Sequence, residues 1–188
     1  PNLGALEQGI ANRKGENILI VEDNKINQDV VKQILETVHM KVTVAENGSE
    51  AVEAIRDNRF DLVFMDIQMP IMDGYEATIA IRKTLKNLTL PIIAMTANAF
   101  EEDRKKCLDL GMNDHLPKPV EIEKLYQSIV NWVPEKSAEE LKRYHKEVHN
   151  ETKADVMNEE ADNAFLNALY EINDLNVSYV IRSLQGNL

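Results

Sequence analysis

The sequence contains one cysteine, Cys107, among its 188 residues. A lone thiol excludes an internal disulfide and is typical of proteins in a reducing compartment. No apolar run approaches the roughly 18–20 residues that a membrane-spanning helix requires, and no basic-then-apolar signal segment is present. We therefore expect a cytoplasmic chain without membrane contact in this segment.

Basic residues are scarce relative to acidic ones. The chain has 21 Lys and Arg against 32 Asp and Glu, which gives a formal net charge of -11 at pH 7. Because binding to nucleic acid of any sequence depends on Lys and Arg that neutralise phosphates, this balance argues against a nucleic-acid partner. The acidic excess favours cationic partners or a bound metal ion. A content of 44% apolar residues still supports a packed core.

Between residues 16 and 134, short apolar runs alternate with longer amphipathic stretches, which are typical of strands and helices respectively. The predicted strands are Ile18–Val21, Val42–Ala45, Leu62–Met65, Ile92–Met95 and a weaker one at His115–Leu116. The first four are interpreted as continuously apolar, which predicts strands covered on both faces. The alternation predicts an α/β fold, a doubly wound parallel sheet with helices on both faces.

The two ends of the chain depart from this alternation. Residues 1–15 show little periodicity and are predicted to be a linker or a frayed end. Residues 135–188 are predicted to be a helical linker, which opens with the capping-box pattern Ser137-Ala138-Glu139-Glu140. Further helical spacing follows at 161–172 and 177–184. This stretch holds too little apolar material for a core of its own.

Polar residues follow four of the five predicted strands. Glu22 and Asp23 follow the first strand, Asp66 the third, Thr96 the fourth and Lys118 the fifth. Because binding sites in such sheets lie outside the carboxyl ends of the strands, we expect these side chains to meet. Three adjacent carboxylates repel one another unless a cation binds them, and Mg²⁺ accepts such oxygen ligands. A carboxylate can also attack phosphorus, so we predict an aspartyl phosphate at Asp66.

Four motifs make the chain similar to the receiver domains of response regulators in two-component signalling. The motifs are ILIVEDN at 18–24, VFMDIQMPIMDGYEAT at 63–78, PIIAMTANA at 91–99 and LPKP at 116–119. The resemblance covers residues 16–134 and is greatest to the receivers of hybrid sensor histidine kinases. It implies a flavodoxin-like sheet of five strands in the order 2-1-3-4-5.

The resemblance also implies a ligand set. Asp66 would accept the phosphoryl group from a phosphohistidine of a histidine kinase or a histidine phosphotransfer domain. Asp23, Asp66 and the carbonyl of Gln68 would bind Mg²⁺ or Mn²⁺, and Glu22 would act on the ion largely through water. Phosphorylation would change partner binding, and a homodimer is left open.

A second group of residues would respond to the phosphoryl group. By resemblance, Thr96 would hydrogen-bond it and Lys118 would pair with it, while Pro119 would follow a cis peptide bond. Members of the family carry Tyr or Phe where this chain has His115, and that ring reports phosphorylation together with the threonine. We expect His115 to take the switch role, with an imidazole whose charge can vary near neutral pH.

The C-terminal end shows a weaker likeness. The segment INDLNVSYVIRSLQGN at 172–187 resembles the start of a histidine phosphotransfer domain, whose receiving histidine would lie beyond Leu188. The chain starts with Pro1, which we interpret as a sign of a piece of a longer polypeptide. By resemblance, that polypeptide would be a hybrid sensor histidine kinase.

Other functions stay open at this point. A phosphohydrolase that forms an aspartyl phosphate would use a second Asp two residues after the nucleophile, where this chain has Gln68. A flavodoxin-like cofactor binder would need a loop rich in Ser, Thr and Gly after the first strand, where this chain has Glu22-Asp23-Asn24. The four strand-end groups could also be a structural cluster of ion pairs. The pair Asp73-Gly74 predicts a turn in which glycine supplies a permitted backbone conformation.

Overall fold

The computed structural model describes residues 3–97 and 101–151. Its strands are β1 (Asn17–Val21), β2 (Lys41–Ala45), β3 (Leu62–Asp66), β4 (Ile92–Thr96) and β5 (Asp114–Pro117). Its helices are α1 (Leu3–Ala11), α2 (Lys25–Thr37), α3 (Gly48–Asp57), α4 (Gly74–Ile79), α5 (Glu101–Asp109), α6 (Ile122–Trp132) and α7 (Ala138–Glu151). A π-helical turn, Ala80–Thr84, continues α4.

The five strands form one sheet in the order β2-β1-β3-β4-β5, and every neighbouring pair is parallel. The predicted fold class and strand order are therefore confirmed. β3 and β4 are buried along their whole length. The expectation that β2 is covered on both faces is wrong, because β2 lies at the edge of the sheet and exposes Lys41 and Thr43.

Successive residues of the inner strands contribute to two separate cores, as the alternation of side chains along a strand requires. Ile18 and Ile20 of β1 belong to the core that includes residues of α2 and α6. Leu19 and Val21 belong to the core that includes residues of α3 and α4. The sheet is thus the middle layer of a three-layer structure, and its carboxyl ends open at one edge.

The N-terminal segment is folded from residue 3 onward, so the expectation of a frayed end is wrong for the described residues, while the expectation of a linker stays a prediction. Helix α1 packs against α6 and buries Leu6 and Ile10. These two apolar residues lie one helical turn apart, which places them on the same face of the helix. A stretch this short contains too few periodic positions to predict a helix, and it is the apolar surface of α6 that makes α1 stable.

Arg13, which follows α1, connects this helix to the end of α6. Its side chain is 7% exposed and donates to the carbonyl oxygens of Val133 at 2.5 Å, Gly9 at 2.6 Å and Val130 at 3.0 Å. The last carbonyl groups of a helix have no partner within it, so the guanidinium satisfies groups that would otherwise be buried without one.

Helix α7 begins as the sequence predicts. The backbone N–H of Ser137 donates to Glu140 Oε2 at 2.7 Å, and the N–H of Glu140 donates to Ser137 Oγ at 3.3 Å. The helical spacing at 161–172 and 177–184 and the likeness at 172–187 lie outside the described residues. The division of the chain into domains at residues 16 and 134 stays a prediction. Among the described helices, none has the length and apolar character needed to cross a bilayer.

Candidate functional site

The carboxyl ends of the strands bring the predicted site residues into one pocket. Asp66 is the last residue of β3 and Thr96 the last of β4, and Lys118 follows β5 directly. The neighbouring strands are in register at this edge, since Asp66 pairs with Met95 and Thr96 with Pro117. The pocket is lined by all six residues predicted to bind metal or phosphate, namely Glu22, Asp23, Asp66, Gln68, Thr96 and Lys118.

Three carboxylates converge in this pocket. One oxygen each of Glu22, Asp23 and Asp66 lies within 4.8 Å of the others. Glu22 and Asp66 are buried, at 2% and 5% exposure, whereas Asp23 is exposed. Hard divalent cations prefer oxygen ligands, and Mg²⁺ binds through a few carboxylates while it keeps several waters. The buried pair together with the accessible Asp23 carboxylate therefore fits such an ion.

Lys118 contacts two of the carboxylates. Its Nζ donates to Glu22 Oε2 at 2.6 Å and to Asp66 Oδ2 at 2.7 Å. The backbone N–H of Gln68 donates to the other oxygen, Asp66 Oδ1, at 3.2 Å. The peptide bond between Lys118 and Pro119 is cis, as the resemblance implies. Both oxygens of Asp66 thus have a hydrogen-bond donor from the chain.

The protonation of Asp66 and Lys118 reflects this burial. Burial raises the pKa of Asp66, and the charge of Glu22 raises it further, while the hydrogen bonds and charge of Lys118 oppose both effects. The net pKa of Asp66 lies above its ordinary value. Burial alone would lower the pKa of Lys118, but its hydrogen bonds to Asp66 and Glu22 raise the pKa above its ordinary value. The folded protein is therefore less stable with Asp66 ionised than with Asp66 neutral.

We expect Asp66→Asn to stabilise the metal-free protein at neutral pH. Because the pKa of Asp66 is raised on folding, the folded state binds this proton more tightly than the unfolded state. The free energy of unfolding therefore falls as the pH rises from the unfolded to the folded pKa. Asparagine does not ionise, so at pH 7 the variant should be more stable by about 1 kcal/mol, the size of a common single-residue effect.

Urea unfolding in EDTA measures this difference at several pH values. The difference in stability between the variant and the parent should disappear below the pKa of an aspartate in the unfolded chain, because the side chain at position 66 is then neutral in both proteins. A variant that is less stable than the parent at pH 7 would contradict the assigned direction of the pKa shift.

Glycine at position 74 allows the loop after β3 to fold back onto Asp66. A Cβ atom at position 74 would lie 2.2 Å from the carbonyl oxygen of Asp66, and the Gly74 N–H donates to Ile67 O at 3.0 Å. Asp73 caps α4 in a capping box with Glu76. Asp73 and Gly74 therefore begin helix α4 where the sequence predicts a turn. Glycine is required at position 74 because the backbone of Asp66 lies too close for a Cβ atom, and a positive φ is not the reason.

His115 lies apart from the carboxylates. Of the described residues, those that line the pocket do not include it. Its neighbour Leu116 belongs to the core beside α2 and α6, so side-chain alternation places His115 on the opposite face of the sheet. Its Nδ1 is buried without a hydrogen-bond partner among the described residues, at 3.6 Å from Asp114 Oδ1. The switch role of His115 stays a prediction.

Sequence reasoning missed the residues that orient Glu22. The backbone N–H of Asn24 and the side-chain amide of Asn27 both donate to Glu22 Oε1 at 3.2 Å, and the Gln28 amide donates to the Glu22 carbonyl oxygen at 2.6 Å. Asn24 also caps α2. An Asn before an apolar helical pattern is a recognisable cap signal, but the bonds to Glu22 depend on how α2 turns back over β1.

Comparison with known families identifies the class of this fold and site. The family described as the response regulator receiver domain matches residues 18–130. This match covers more than half of the chain and includes every residue of the site described above. The chain belongs to the response regulator receiver domain family.

Similar curated proteins include hybrid kinases. Hybrid signal transduction histidine kinase B of Dictyostelium discoideum is 43% identical in an alignment of 118 residues that covers 57% of this chain and 6% of that protein. The sensor protein GacS of Pseudomonas syringae pv. syringae is 39% identical in an alignment of 122 residues that covers 63% of this chain and 14% of that protein. The predicted likeness to receivers of hybrid histidine kinases is confirmed, although the chain spans only a small part of these relatives.

Similar solved structures are receiver domains too. The receiver domain of sensor histidine kinase PA1611 from Pseudomonas aeruginosa PAO1, which has a magnesium ion in its active-site cleft, is 42% identical with a TM-score of 0.59. The match covers 63% of this chain and 97% of that chain. The receiver domain of Ssk1 from Saccharomyces cerevisiae, solved with the histidine phosphotransfer protein Ypd1, is 35% identical with a TM-score of 0.61. This second match covers 64% of this chain and 90% of that chain.

Proposed function

We propose that this chain is a phosphorelay switch in which Asp66 accepts a phosphoryl group from a phosphohistidine in a reaction that requires Mg²⁺. The observation that carries the proposal is the pocket around Asp66. Two further carboxylate oxygens lie within 4.8 Å of it, and the Lys118 ammonium group lies 2.7 Å from its Oδ2. A buried carboxylate beside a cation and a set of metal ligands is the arrangement that phosphoryl transfer to a carboxylate needs.

Different residues of the pocket would have different roles in the phosphoryl transfer. An oxygen of Asp66 would form the bond to phosphorus as the bond from phosphorus to the imidazole nitrogen breaks, and the nitrogen would keep the electron pair. Lys118 and the Thr96 hydroxyl would contact the phosphoryl oxygens. Asp23, Asp66 and the Gln68 carbonyl would hold Mg²⁺ or Mn²⁺, with Glu22 acting through water. The bound ion supplies charge neutralisation on those oxygens.

The donor would be a histidine kinase or a histidine phosphotransfer domain. The complex of Ypd1 with the Ssk1 receiver supports a donor of this kind, since the Ssk1 receiver covers 64% of this chain. The hybrid kinases among the relatives support a hybrid histidine kinase as the parent protein. A cytoplasmic site of action is proposed from the sequence, since a single cysteine is typical of proteins in a reducing compartment. The -11 net charge counts against nucleic acid as a partner of this chain.

Intact mass spectrometry with acetyl phosphate tests the proposal. With Mg²⁺ present we expect the mass of one phosphoryl group on the protein, and neither the Asp66→Asn variant nor the parent protein in EDTA should gain it. Exposed Asp57, replaced by Asn, is the matched control and should be phosphorylated as the parent is. Phosphorylation of Asp66→Asn to the same extent would contradict the proposal.

The same experiment separates the alternative, an aspartyl-phosphate phosphohydrolase. Such an enzyme would release inorganic phosphate over many rapid cycles, whereas a switch keeps its phosphoryl group until slow hydrolysis. Gln68 counts against the hydrolase, because it stands in the pocket at the position where the second Asp would act as acid and base.

A further inference from the structure

Both carboxylate oxygens of Glu22 accept hydrogen bonds from the chain. Oε1 accepts the backbone N–H of Asn24 and the side-chain amide of Asn27, each at 3.2 Å. Oε2 accepts the Lys118 ammonium group at 2.6 Å. Each oxygen of a carboxylate accepts about two hydrogen bonds, so the two donors to Oε1 use the full capacity of that atom. Oε1 can bind a metal ion directly only if it loses one of these hydrogen bonds.

The backbone of Glu22 is fixed as well as its side chain. Its N–H donates to the carbonyl oxygen of Ala45 in β2 at 3.1 Å, and its carbonyl oxygen accepts the side-chain amide of Gln28 at 2.6 Å. Gln28 is 1% exposed, so loss of this bond would leave a buried amide without a partner. Because the main chain is held on both sides, the direction of the Glu22 carboxylate depends on the groups that contact its oxygens.

The other two carboxylates of the pocket have room for direct contact with an ion. Asp66 Oδ1 accepts the neutral backbone N–H of Gln68 at 3.2 Å, which leaves acceptor capacity on that oxygen. Asp23 is exposed and contributes an oxygen within 4.8 Å of those of Glu22 and Asp66. On Glu22 the remaining capacity lies on Oε2, where the ammonium group of Lys118 repels a second cation. That position suits a neutral water molecule better than an ion.

The side chain of Asn27 acts on this site and is not required to start helix α2. Asn27 lies in the first turn of α2, but the cap of that helix is Asn24, whose side chain accepts the backbone N–H groups of Ile26 and Asn27. The Asn27 amide donates instead to Glu22 Oε1. Asn27 is half-buried and lines the same pocket as Glu22.

We propose that Asn27 is a positioning residue that keeps Glu22 from direct metal coordination and thereby favours Mg²⁺ over Ca²⁺ at this site. This proposal rests on the proposed function, in which Glu22 acts on the ion through water. Mg²⁺ keeps several of its waters, whereas Ca²⁺ takes about six to eight oxygen ligands and can bind a carboxylate through both oxygens. A Glu22 carboxylate that Asn27 holds by Oε1 is therefore a poor ligand for Ca²⁺ and a good acceptor for a water on Mg²⁺.

Calorimetric titration of the protein with Mg²⁺ alone and with Ca²⁺ alone tests this proposal. Asn27→Ala removes the amide, keeps a residue that favours a helix, and frees acceptor capacity on Glu22 Oε1. We expect the ratio of Mg²⁺ affinity to Ca²⁺ affinity to fall about tenfold, near the lower end of what a hydrogen bond to a charged group contributes. A merely structural role of Asn27 would weaken the binding of both ions equally, and an unchanged ratio would therefore overturn the proposal.

Two further variants locate the effect. Gln33→Ala removes an exposed amide from the same helix, and Gln33 is not among the described residues that line the pocket. This matched control should leave the ratio of affinities unchanged. In a Glu22→Gln background, Asn27→Ala should also leave the ratio unchanged, because the carboxylate on which Asn27 acts is missing. A tenfold response in that background would overturn the role assigned to Asn27.

The number of waters on bound Mn²⁺ provides the second measurement, by electron–nuclear double resonance. We expect fewer waters on the ion in Asn27→Ala than in the parent, because an oxygen of Glu22 replaces one of them, and equal numbers would contradict the proposal. Phosphorylation by acetyl phosphate is measured on the same samples. A parent that binds Mg²⁺ but gains no phosphoryl group would contradict the proposed function alone. A phosphorylated parent with an unchanged ratio of affinities in Asn27→Ala would contradict only the role of Asn27.

Discussion

Replacing Lys118 with methionine should abolish phosphoryl acceptance at Asp66 and destabilise the metal-free protein by about 3 kcal/mol or more, the usual cost of breaking a buried ion pair from one side. The side chains of Glu22 and Asp66 are 3% and 7% exposed, and both lose their hydrogen-bonded cation in this variant. Two buried like charges then remain without a cation from the described residues, and the pKa of Asp66 should rise further.

Urea unfolding with EDTA and with Mg²⁺ tests this prediction, together with intact mass spectrometry after incubation with acetyl phosphate. Mg²⁺ should recover part of the lost stability, because it replaces the missing positive charge at the same carboxylates. Lys124→Met is the matched control. Lys124 forms a surface pair with Glu121 in which both side chains are 49% exposed, so its loss should change stability by less than about 1 kcal/mol. Equal effects of the two substitutions would contradict the buried ion pair.

Gly74→Ala should destabilise the protein by about 3 kcal/mol or more and displace Asp66, since an added methyl group in a tight site costs roughly 1–3 kcal/mol even where side chains can move. Here the obstacle is backbone, because a Cβ atom would lie 2.2 Å from the Asp66 carbonyl oxygen and 3.0 Å from Ile67 Cα. The loop must then separate from β3, and the carboxylate moves with it.

Thermal unfolding and phosphorylation by acetyl phosphate measure the two consequences. Gly9→Ala is the control, because its new Cβ atom would meet the end of the Val130 side chain at 3.0 Å, and a helical alanine gains intrinsic stability over glycine. It should therefore cost far less and leave phosphorylation unchanged. A Gly74→Ala protein with parental stability would show that the loop has room that the structure does not indicate.

The strands were predictable because their sequences are short apolar runs bounded by polar residues. Each predicted strand agrees with the observed one to within a residue at either end. Helix α4 was less predictable. Ala77, Ile81 and Leu85 recur at helical spacing, but the helix changes to a π-helical turn after Ile79, and Leu85 N–H bonds to Ala80 O. The bonds of Arg82 to the loop before β5 occur at this turn, and such long-range contacts leave no periodic signal.

Sequence alone determined the parallel sheet and five polar residues at its edge, because apolar runs mark the strands and the carboxyl ends of parallel strands meet at one edge. The sixth residue, Gln68, was predicted only from the resemblance to receiver domains. Tertiary structure decided which of these groups touch, that Lys118 lies between Glu22 and Asp66, and that α1 packs on α6. These outcomes depend on side chains far apart in the chain whose contact has no counterpart in any local pattern. Such contacts form only when the helices pack against the sheet.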